Sequence, residues 1–134
     1  MYHDDLKLVL TSWVSQGGNV AFQGEGSAGE IFKDWFNLSW SHTGYHRSEN
    51  VRSKKQSLRA VQSTVLSRLP AKYSAKVCWL SGVDRNDRVY VEKDSPELCG
   101  VACTSYQLGK ITFVGDVNAE DSTVTTLVEL GKMK

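Results

Sequence analysis

The spacing of apolar residues changes part-way along this chain of 134 residues, and that change limits the folds open to it. Over 4–16 and 28–37, apolar residues recur at the intervals of an amphipathic helix. From residue 76 onwards, short apolar runs rich in β-branched and aromatic residues alternate with turn-forming residues, which predicts strands. Helices followed by neighbouring strands indicate an α+β domain rather than a repeating βαβ fold.

Three helices are predicted in the first half of the chain, over 4–16, 28–37 and 49–69. The third ends at Pro70, which cannot continue a helix. Each helix carries an apolar stripe: Tyr2, Leu6, Val9, Leu10 and Trp13; Ile31, Phe32, Trp35 and Phe36; and Val51, Leu58, Val61, Val65 and Leu69. We expect these stripes to face the core.

The second half predicts about five strands, at 76–82, 88–92, 100–107, 110–114 and 123–130. The first two are predicted to form a hairpin around the turn at 84–87. A helix over 71–81 stays open, because Tyr73, Val77 and Leu80 also fit helical spacing. The expected fold is a single domain, 1–134, in which about three N-terminal helices pack on one face of a C-terminal antiparallel meander.

A glycine motif, Gly24-Glu-Gly-Ser-Ala-Gly29, precedes the second helix and matches the dinucleotide-binding pattern G-x-G-x-x-G. That pattern works within a βαβ unit, which the downstream strands do not provide. We therefore interpret the motif as a flexible turn. Ser27 and Glu30 fit a capping box, in which each side chain accepts from an otherwise unpaired amide at the start of the helix.

The three cysteines, Cys78, Cys99 and Cys103, predict a reducing compartment and buried thiols rather than a disulfide framework. Cys99 and Cys103 would lie about 13 Å apart along a strand, too far to pair. No apolar run approaches the roughly 18–20 residues that span a bilayer, and the acidic start of the chain lacks the basic flank of an export signal. We expect a cytoplasmic protein with no membrane partner.

Charge is distributed unevenly. Residues 42–76 contain eight Lys and Arg against one acid, Glu49, in a chain whose net charge is +1. The flanking parts are both acidic. Clustered cations on a predicted helix over 49–69 are typical of a surface that binds nucleic acid, although a solvated charged face is the ordinary alternative.

An aromatic and basic segment at 37–48 immediately precedes that predicted helix and is expected to form a loop. Aromatic rings interleaved with cations suit base stacking and phosphate contact. The candidate nucleic-acid-binding residues are Trp40, Tyr45, His46, Arg47, Arg52, Lys54, Lys55 and Arg59. His42 and His46 have the spacing of a helical metal pair, but no further ligand accompanies them, so we expect no metal and no cofactor.

The favoured function is therefore a small module that binds nucleic acid or another polyanion, and we lean against an enzyme. One alternative is a protein-binding inhibitor or adaptor of the kind encoded by mobile genetic elements, whose cations would dock on an acidic protein surface. A second is a small-molecule pocket lined by Trp79, Tyr90 and Phe113.

The least favoured alternative is a small ribonuclease that uses His42 or His46 with Glu92 as acid and base. The chain contains no histidine in its second half, which counts against that arrangement. A homo-oligomer stays open. No part of the sequence resembles a known family closely enough to transfer residue roles.

Overall fold

A computed structural model describes residues 2–24, 28–53, 58–117 and 121–131. Within these ranges the chain forms four α-helices and six strands, with a 3-10 turn at Arg85–Asp87. The elements in order are α1 (Tyr2–Ser15), β1 (Asn19–Gln23), α2 (Ala28–Phe36), β2 (Ser41–Arg52), α3 (Ser63–Leu66), β3 (Lys72–Ser81), β4 (Arg88–Glu92), β5 (Cys99–Tyr106), β6 (Gly109–Val114) and α4 (Asp121–Gly131).

The strands build one barrel-like, largely antiparallel sheet in the order β1-β6-β5-β3-β2-β4. A further pairing between β4 and β5 closes β2, β3, β5 and β4 into a ring. The strand β1 runs parallel to β6, where Asn19 aligns with Lys110 and Gln23 with Val114. The α+β class is thus confirmed, whereas the predicted meander with N-terminal helices on one face is replaced by a closed sheet.

Two hydrophobic cores lie on opposite faces of this sheet. Strand β3 shows the alternation, since Tyr73 and Trp79 enter one core and Cys78 and Leu80 enter the other. We call the first the α4-side core; it includes Val61, Val65, Leu66, Leu69, Tyr73, Val77, Trp79, Val89, Tyr90, Val101 and Leu130. We call the second the α2-side core; it includes Val14, Phe32, Phe36, Trp40, Cys78, Leu80, Ile111 and Phe113.

The helix predicted at 4–16 is confirmed as α1, but its apolar stripe faces solvent. Leu6, Val9 and Trp13 are 56%, 66% and 50% exposed. The helix is held instead by Val14, which is fully buried, with Leu10 packed partly against the same core. Much of the surface of these three side chains is therefore open to solvent, although the Trp13 ring lies against Gly18.

The loop predicted at 37–48 and the helix predicted at 49–69 are both wrong in their main part. Strand β2 occupies Ser41–Arg52 and pairs with β3 along nearly its whole length, and its end also pairs with β4. These two partners hold the backbone of Val51 extended, and within the described residues of 49–69 only Ser63–Leu66 is helical. Val61, Val65 and Leu69 are buried as expected, although not on one long helix.

The strands predicted at 76–82, 88–92, 100–107 and 110–114 all form, and 71–81 is strand rather than helix. The hairpin between the first two is wrong, because β3 pairs with β2 and β5 while β4 pairs with β2 and β5. The predicted strand at 123–130 is the helix α4. Its buried residues Thr123, Thr126 and Leu130 have helical spacing, and the Thr123 hydroxyl donates to the Asp116 carboxylate.

The N-terminal and C-terminal parts of the chain meet in the sheet. Gly109 begins β6 where a Cβ atom would lie 2.1 Å from the Val14 carbonyl oxygen and 2.2 Å from that of Gly18. Only glycine allows so close an approach between α1, β1 and β6. No helix in the described part of the chain has the length and apolar content to cross a membrane.

Candidate functional site

Strands β2 and β3 present polar and charged side chains to solvent on the face that carries the α2-side core. Residues opposite one another on antiparallel strands share a face. Tyr45 lies opposite Cys78 and Arg47 opposite Lys76. We call this surface the cationic face; its members are His42, Tyr45, Arg47, Lys72 and Lys76, all of them exposed.

The centre of the cationic face is an aromatic ring with a cation above it. The Lys76 ammonium lies 5.2 Å from the centroid of the Tyr45 ring, and Tyr45 is 50% exposed. Such a contact at an exposed site contributes about 0.5–1 kcal/mol. It holds the ammonium group over the ring at the surface, so that one ligand can reach both an aromatic ring and a cation.

The remaining charges of this face lie further along the two strands. The Arg47 guanidinium donates to the Ser74 hydroxyl at 3.4 Å, and the Lys72 ammonium lies 3.6 Å from the Glu49 carboxylate. Exposed ion pairs of this kind contribute about 0–1 kcal/mol and are screened by salt. The Glu49 carboxylate on β2 therefore offsets the Lys72 ammonium, and Arg47 and Lys76 lie on the same face.

The structure assigns most of the other predicted contacts to packing. Trp40 is only 2% exposed and lies edge-on to Phe32 at 4.8 Å, so it cannot stack on a base. Arg52 donates to the carbonyl oxygens of Leu66 and Leu69, at 3.0 and 2.6 Å, and thereby fixes α3. These two residues are removed from the candidate site, and Lys54 and Lys55 lie outside the described residues, as does Ser27 of the predicted capping box.

Arg59 also has a structural role. Its guanidinium lies 3.2 Å from Asp87 and 3.4 Å from Asp84. Burial raises the pKa of the Asp87 carboxyl above its usual value, and the hydrogen bond from Arg59 acts in the opposite direction. The cation thus pairs with a buried carboxylate beside the 3-10 turn, and it does not stand on the helix that the sequence predicted over 49–69.

His46 lies on the other face of β2 from Tyr45 and Arg47. Its ring centroid is 5.5 Å from that of Trp79, whose indole Nε1 donates to the His46 carbonyl oxygen at 3.2 Å. His42 and His46 therefore project to opposite faces, since His42 lies opposite Leu80 and His46 opposite Val77. This separation disfavours a metal or catalytic histidine pair.

Glu92, the proposed acid–base partner of those histidines, is 6% exposed. It accepts from the Ser48 hydroxyl and from the Asp94 amide, which fixes the turn after β4. Its carboxylate is held in this structural role. No group of three or more His, Cys, Asp or Glu side chains in the described ranges is placed to hold a metal ion.

Other titratable groups are buried away from any open surface. Burial raises the pKa of Cys99 to about 12 and that of Cys103 to about 11, so both thiols are protonated and unreactive near neutrality. The prediction of buried thiols rather than a disulfide framework is confirmed. Trp79 and Tyr90 belong to the α4-side core and Phe113 to the α2-side core, so the predicted pocket lined by all three is wrong.

A polar cluster lies inside the barrel. Asn50 is fully buried opposite Tyr73 and Glu92, and its carboxamide oxygen lies where a Cβ atom on Gly100 would clash. Burial raises the pKa of Tyr73 to about 12, and the nearby Thr123 hydroxyl acts in the opposite direction. The cluster is closed to solvent and does not line a surface site.

An open cleft of about 390 Å³ lies between the end of α2 and the start of β2. Its lining residues are Lys33, Asn37, Leu38, Ser39, Trp40 and Ser41. Asn37 ends the helix in a left-handed conformation with φ of 54°, which asparagine tolerates. The Ser39 hydroxyl donates to the Gly82 carbonyl at 2.6 Å, which fixes the outer wall of the cleft.

Lys72 and Lys76 are not among the predicted site residues, because the apolar run that begins at Lys76 predicts a strand of the sheet. A signal was nevertheless present. On β3, polar residues alternate with buried ones: Lys72, Ser74 and Lys76 with Tyr73, Ala75 and Val77. This is the period of a strand with one solvent-exposed face and one buried face.

No protein-family model and no curated protein matches this chain. Among solved structures, it is similar to a crystal structure of beta-galactosidase from Bacillus circulans sp. alkalophilus, with a TM-score of 0.56 and 13% sequence identity. The similarity covers 92% of this chain and 20% of that chain, so the protein spans about a fifth of the enzyme's length. Identity this low supports a shared fold and nothing about activity.

Proposed function

We propose that this protein is a small module that binds single-stranded nucleic acid through its cationic face. The observation that carries the proposal is the Lys76 ammonium over the half-exposed Tyr45 ring, with Arg47 directly across the strand pair from Lys76. A base stacked on Tyr45 would gain about 1–3 kcal/mol, and the cations would contact the flanking phosphates. The side chains of the cationic face are exposed, so a flexible strand can reach them.

The number of cations on the cationic face sets the expected strength and salt dependence of binding. Arg47, Lys72 and Lys76 contact at most about three phosphates, and each contact on a single strand adds roughly −0.7 to the slope of log K against log salt. A slope near −2 is therefore expected. Such weak, salt-sensitive binding is typical of a module that tolerates many sequences.

Replacing both Arg47 and Lys76 with alanine should reduce the salt slope by roughly 0.7 for each cation and weaken binding at low salt about ten-fold or more. Tyr45→Ala should weaken binding without changing the slope, since it removes stacking rather than charge. Fluorescence anisotropy with a labelled oligothymidylate, titrated across salt concentrations, measures both quantities.

Lys7→Ala is the matched control, because Lys7 is an exposed cation on α1. It should leave both affinity and slope unchanged. Absence of binding by the wild-type protein at low salt, or a slope that the double variant does not alter, would reject the proposal.

A second candidate function, protein docking, is favoured by the exposed stripe of α1. Leu6, Val9 and Trp13 follow the i, i+3, i+7 spacing of a coiled-coil seam, which fits another helix with similar spacing. Exposed apolar patches of this kind mark protein interfaces. The occupant that matches the seam is α1 of a second copy of the chain.

Replacing Leu6 and Val9 together with serine should abolish concentration-dependent association while leaving the midpoint of thermal unfolding nearly unchanged, because both side chains are already exposed. Sedimentation velocity over a range of concentrations is the measurement. Val14→Ser should instead unfold the protein, since Val14 is fully buried. A wild-type protein that stays monomeric at every concentration would exclude this dimer.

A further inference from the structure

Cationic and polar groups continue beyond the Tyr45 ring towards the cleft at the end of α2. His42 shares a face with Tyr45, because its opposite residue, Leu80, belongs with Cys78 to the α2-side core. Lys33, in the last turn of α2, lines the cleft together with Ser41 at the start of β2. The face that carries His42, Tyr45 and Arg47 therefore begins one residue from the cleft, which Ser41 lines.

The distance is suited to a short stretch of polynucleotide. Ser41 and Arg47 are six positions apart, which on a strand corresponds to about 20 Å. A ligand that covers this length contacts Arg47 and Lys76 at one end and Lys33 at the other. Asp34 follows Lys33 in sequence but projects about 100° further around the helix, so Lys33 is the α2 charge that lines the cleft.

We propose that a single strand of nucleic acid runs along β2, with one nucleoside seated in the cleft and Lys33 against its phosphate. The inference deepens the proposed function and rests on it. The cleft volume of about 390 Å³ falls within the roughly 300–1,000 Å³ of small-ligand sites. A base that stacked on a flat surface would need no cavity of this volume.

The chemistry of the lining favours a nucleoside over a purely ionic ligand. Leu38 and Trp40 supply apolar walls, while Asn37 supplies a carboxamide that both donates and accepts, as the edge of a base does. Trp40 is packed on Phe32, so it acts as a rigid wall rather than a stacking platform. In a paired duplex the bases are stacked and their Watson–Crick edges are paired, so a whole base cannot enter the cleft and single strands are preferred.

The test compares oligothymidylates of roughly three and roughly ten nucleotides, because only the longer one covers both sites. The wild-type protein should bind the longer strand about ten-fold more tightly or better. Lys33→Gln should weaken the longer strand about five-fold and reduce its salt slope by roughly 0.7, while leaving the affinity of the shorter one unchanged. Lys7→Gln is the matched control and should alter neither.

A base in the cleft is tested separately from the charge. Asn37→Gly keeps the left-handed backbone but removes the carboxamide, and it should weaken the longer strand. A ten-nucleotide strand with abasic sites should lose the advantage of length. Thermal unfolding of both variants confirms that the fold is kept.

Three results would overturn the inference. If the longer strand binds but Lys33→Gln does not weaken it, the ligand ends at the cationic face. If the abasic strand or a sulfated polysaccharide binds as tightly as oligothymidylate, the surface recognises charge alone and no nucleoside is seated. If neither oligonucleotide binds at low salt, the proposed function itself fails and the inference with it.

Discussion

Phe32→Ala is expected to lower the free energy of unfolding by about 3–5 kcal/mol. Phe32 is fully buried at the centre of the α2-side core, and its ring meets Phe22, Trp40 and Phe113 edge to face at 5.3, 4.8 and 5.6 Å. Alanine would leave a cavity between three aromatic rings that cannot close around it. Denaturant unfolding followed by tryptophan fluorescence measures the loss.

Phe32→Leu is the control, since it keeps most of the volume and should lose less than about 1.5 kcal/mol. Phe32→Ala also affects the cleft at the end of α2, because Trp40 packs on Phe32 and forms a wall of that cleft. A loss below about 1 kcal/mol for Phe32→Ala would show that the α2-side core is not packed as described.

Trp79→Ala is expected to have an effect of similar size, about 3–5 kcal/mol, on the opposite face of the sheet. Trp79 is fully buried in the α4-side core, and its indole nitrogen is the donor to the His46 carbonyl. Alanine removes the largest side chain of that core and leaves the carbonyl without its indole donor. Calorimetry or denaturant unfolding measures the change.

Trp79→Phe separates the two contributions, because it keeps an aromatic ring but loses the indole donor. It should be less destabilising than alanine. Both alanine variants should still unfold in one transition, since the two cores share the strands of one sheet. Two separated transitions in either variant would contradict a single cooperative domain.

Local sequence patterns correctly predicted the elements whose conformation is decided by their own residues. The helices at 4–16 and 28–37 and four of the strands carry the expected spacing and cover nearly the predicted ranges. The same patterns failed at β2, because Val51 fits a helical stripe with Leu58 and Val65 while β3 and β4 hold it extended. Pairing with strands distant in sequence overrode the local signal.

The prediction of a strand at 123–130, where the structure has helix α4, was wrong for a different reason. Its threonines and valines favour strands by composition, which outweighed a helical spacing of Thr123, Thr126 and Leu130 that was already present. The stripe of α1 was predicted correctly as apolar and wrongly as core. Periodicity shows that a helix has one apolar face but does not show what covers it.

The candidate site was predicted only in part. The cationic character of 42–76 pointed to Tyr45 and Arg47, which the structure places together with Lys76. Charge counting could not show that Arg52 is held by two carbonyl oxygens or that Arg59 neutralises Asp87. An arginine that bonds to other parts of the fold and an arginine that binds a ligand count equally in the net charge of a segment.

The parallel pairing of β1 with β6 has a consequence for how the protein is made. Gln23 hydrogen bonds to the Asp116 carbonyl 93 positions away, so β1 lacks its hydrogen-bonding neighbour until residues 110–116 have been synthesised. Contacts so distant in sequence form slowly. During synthesis α1 and β1 therefore stay exposed until β6 is available, and chaperones would bind their exposed leucines and valines before the sheet closes.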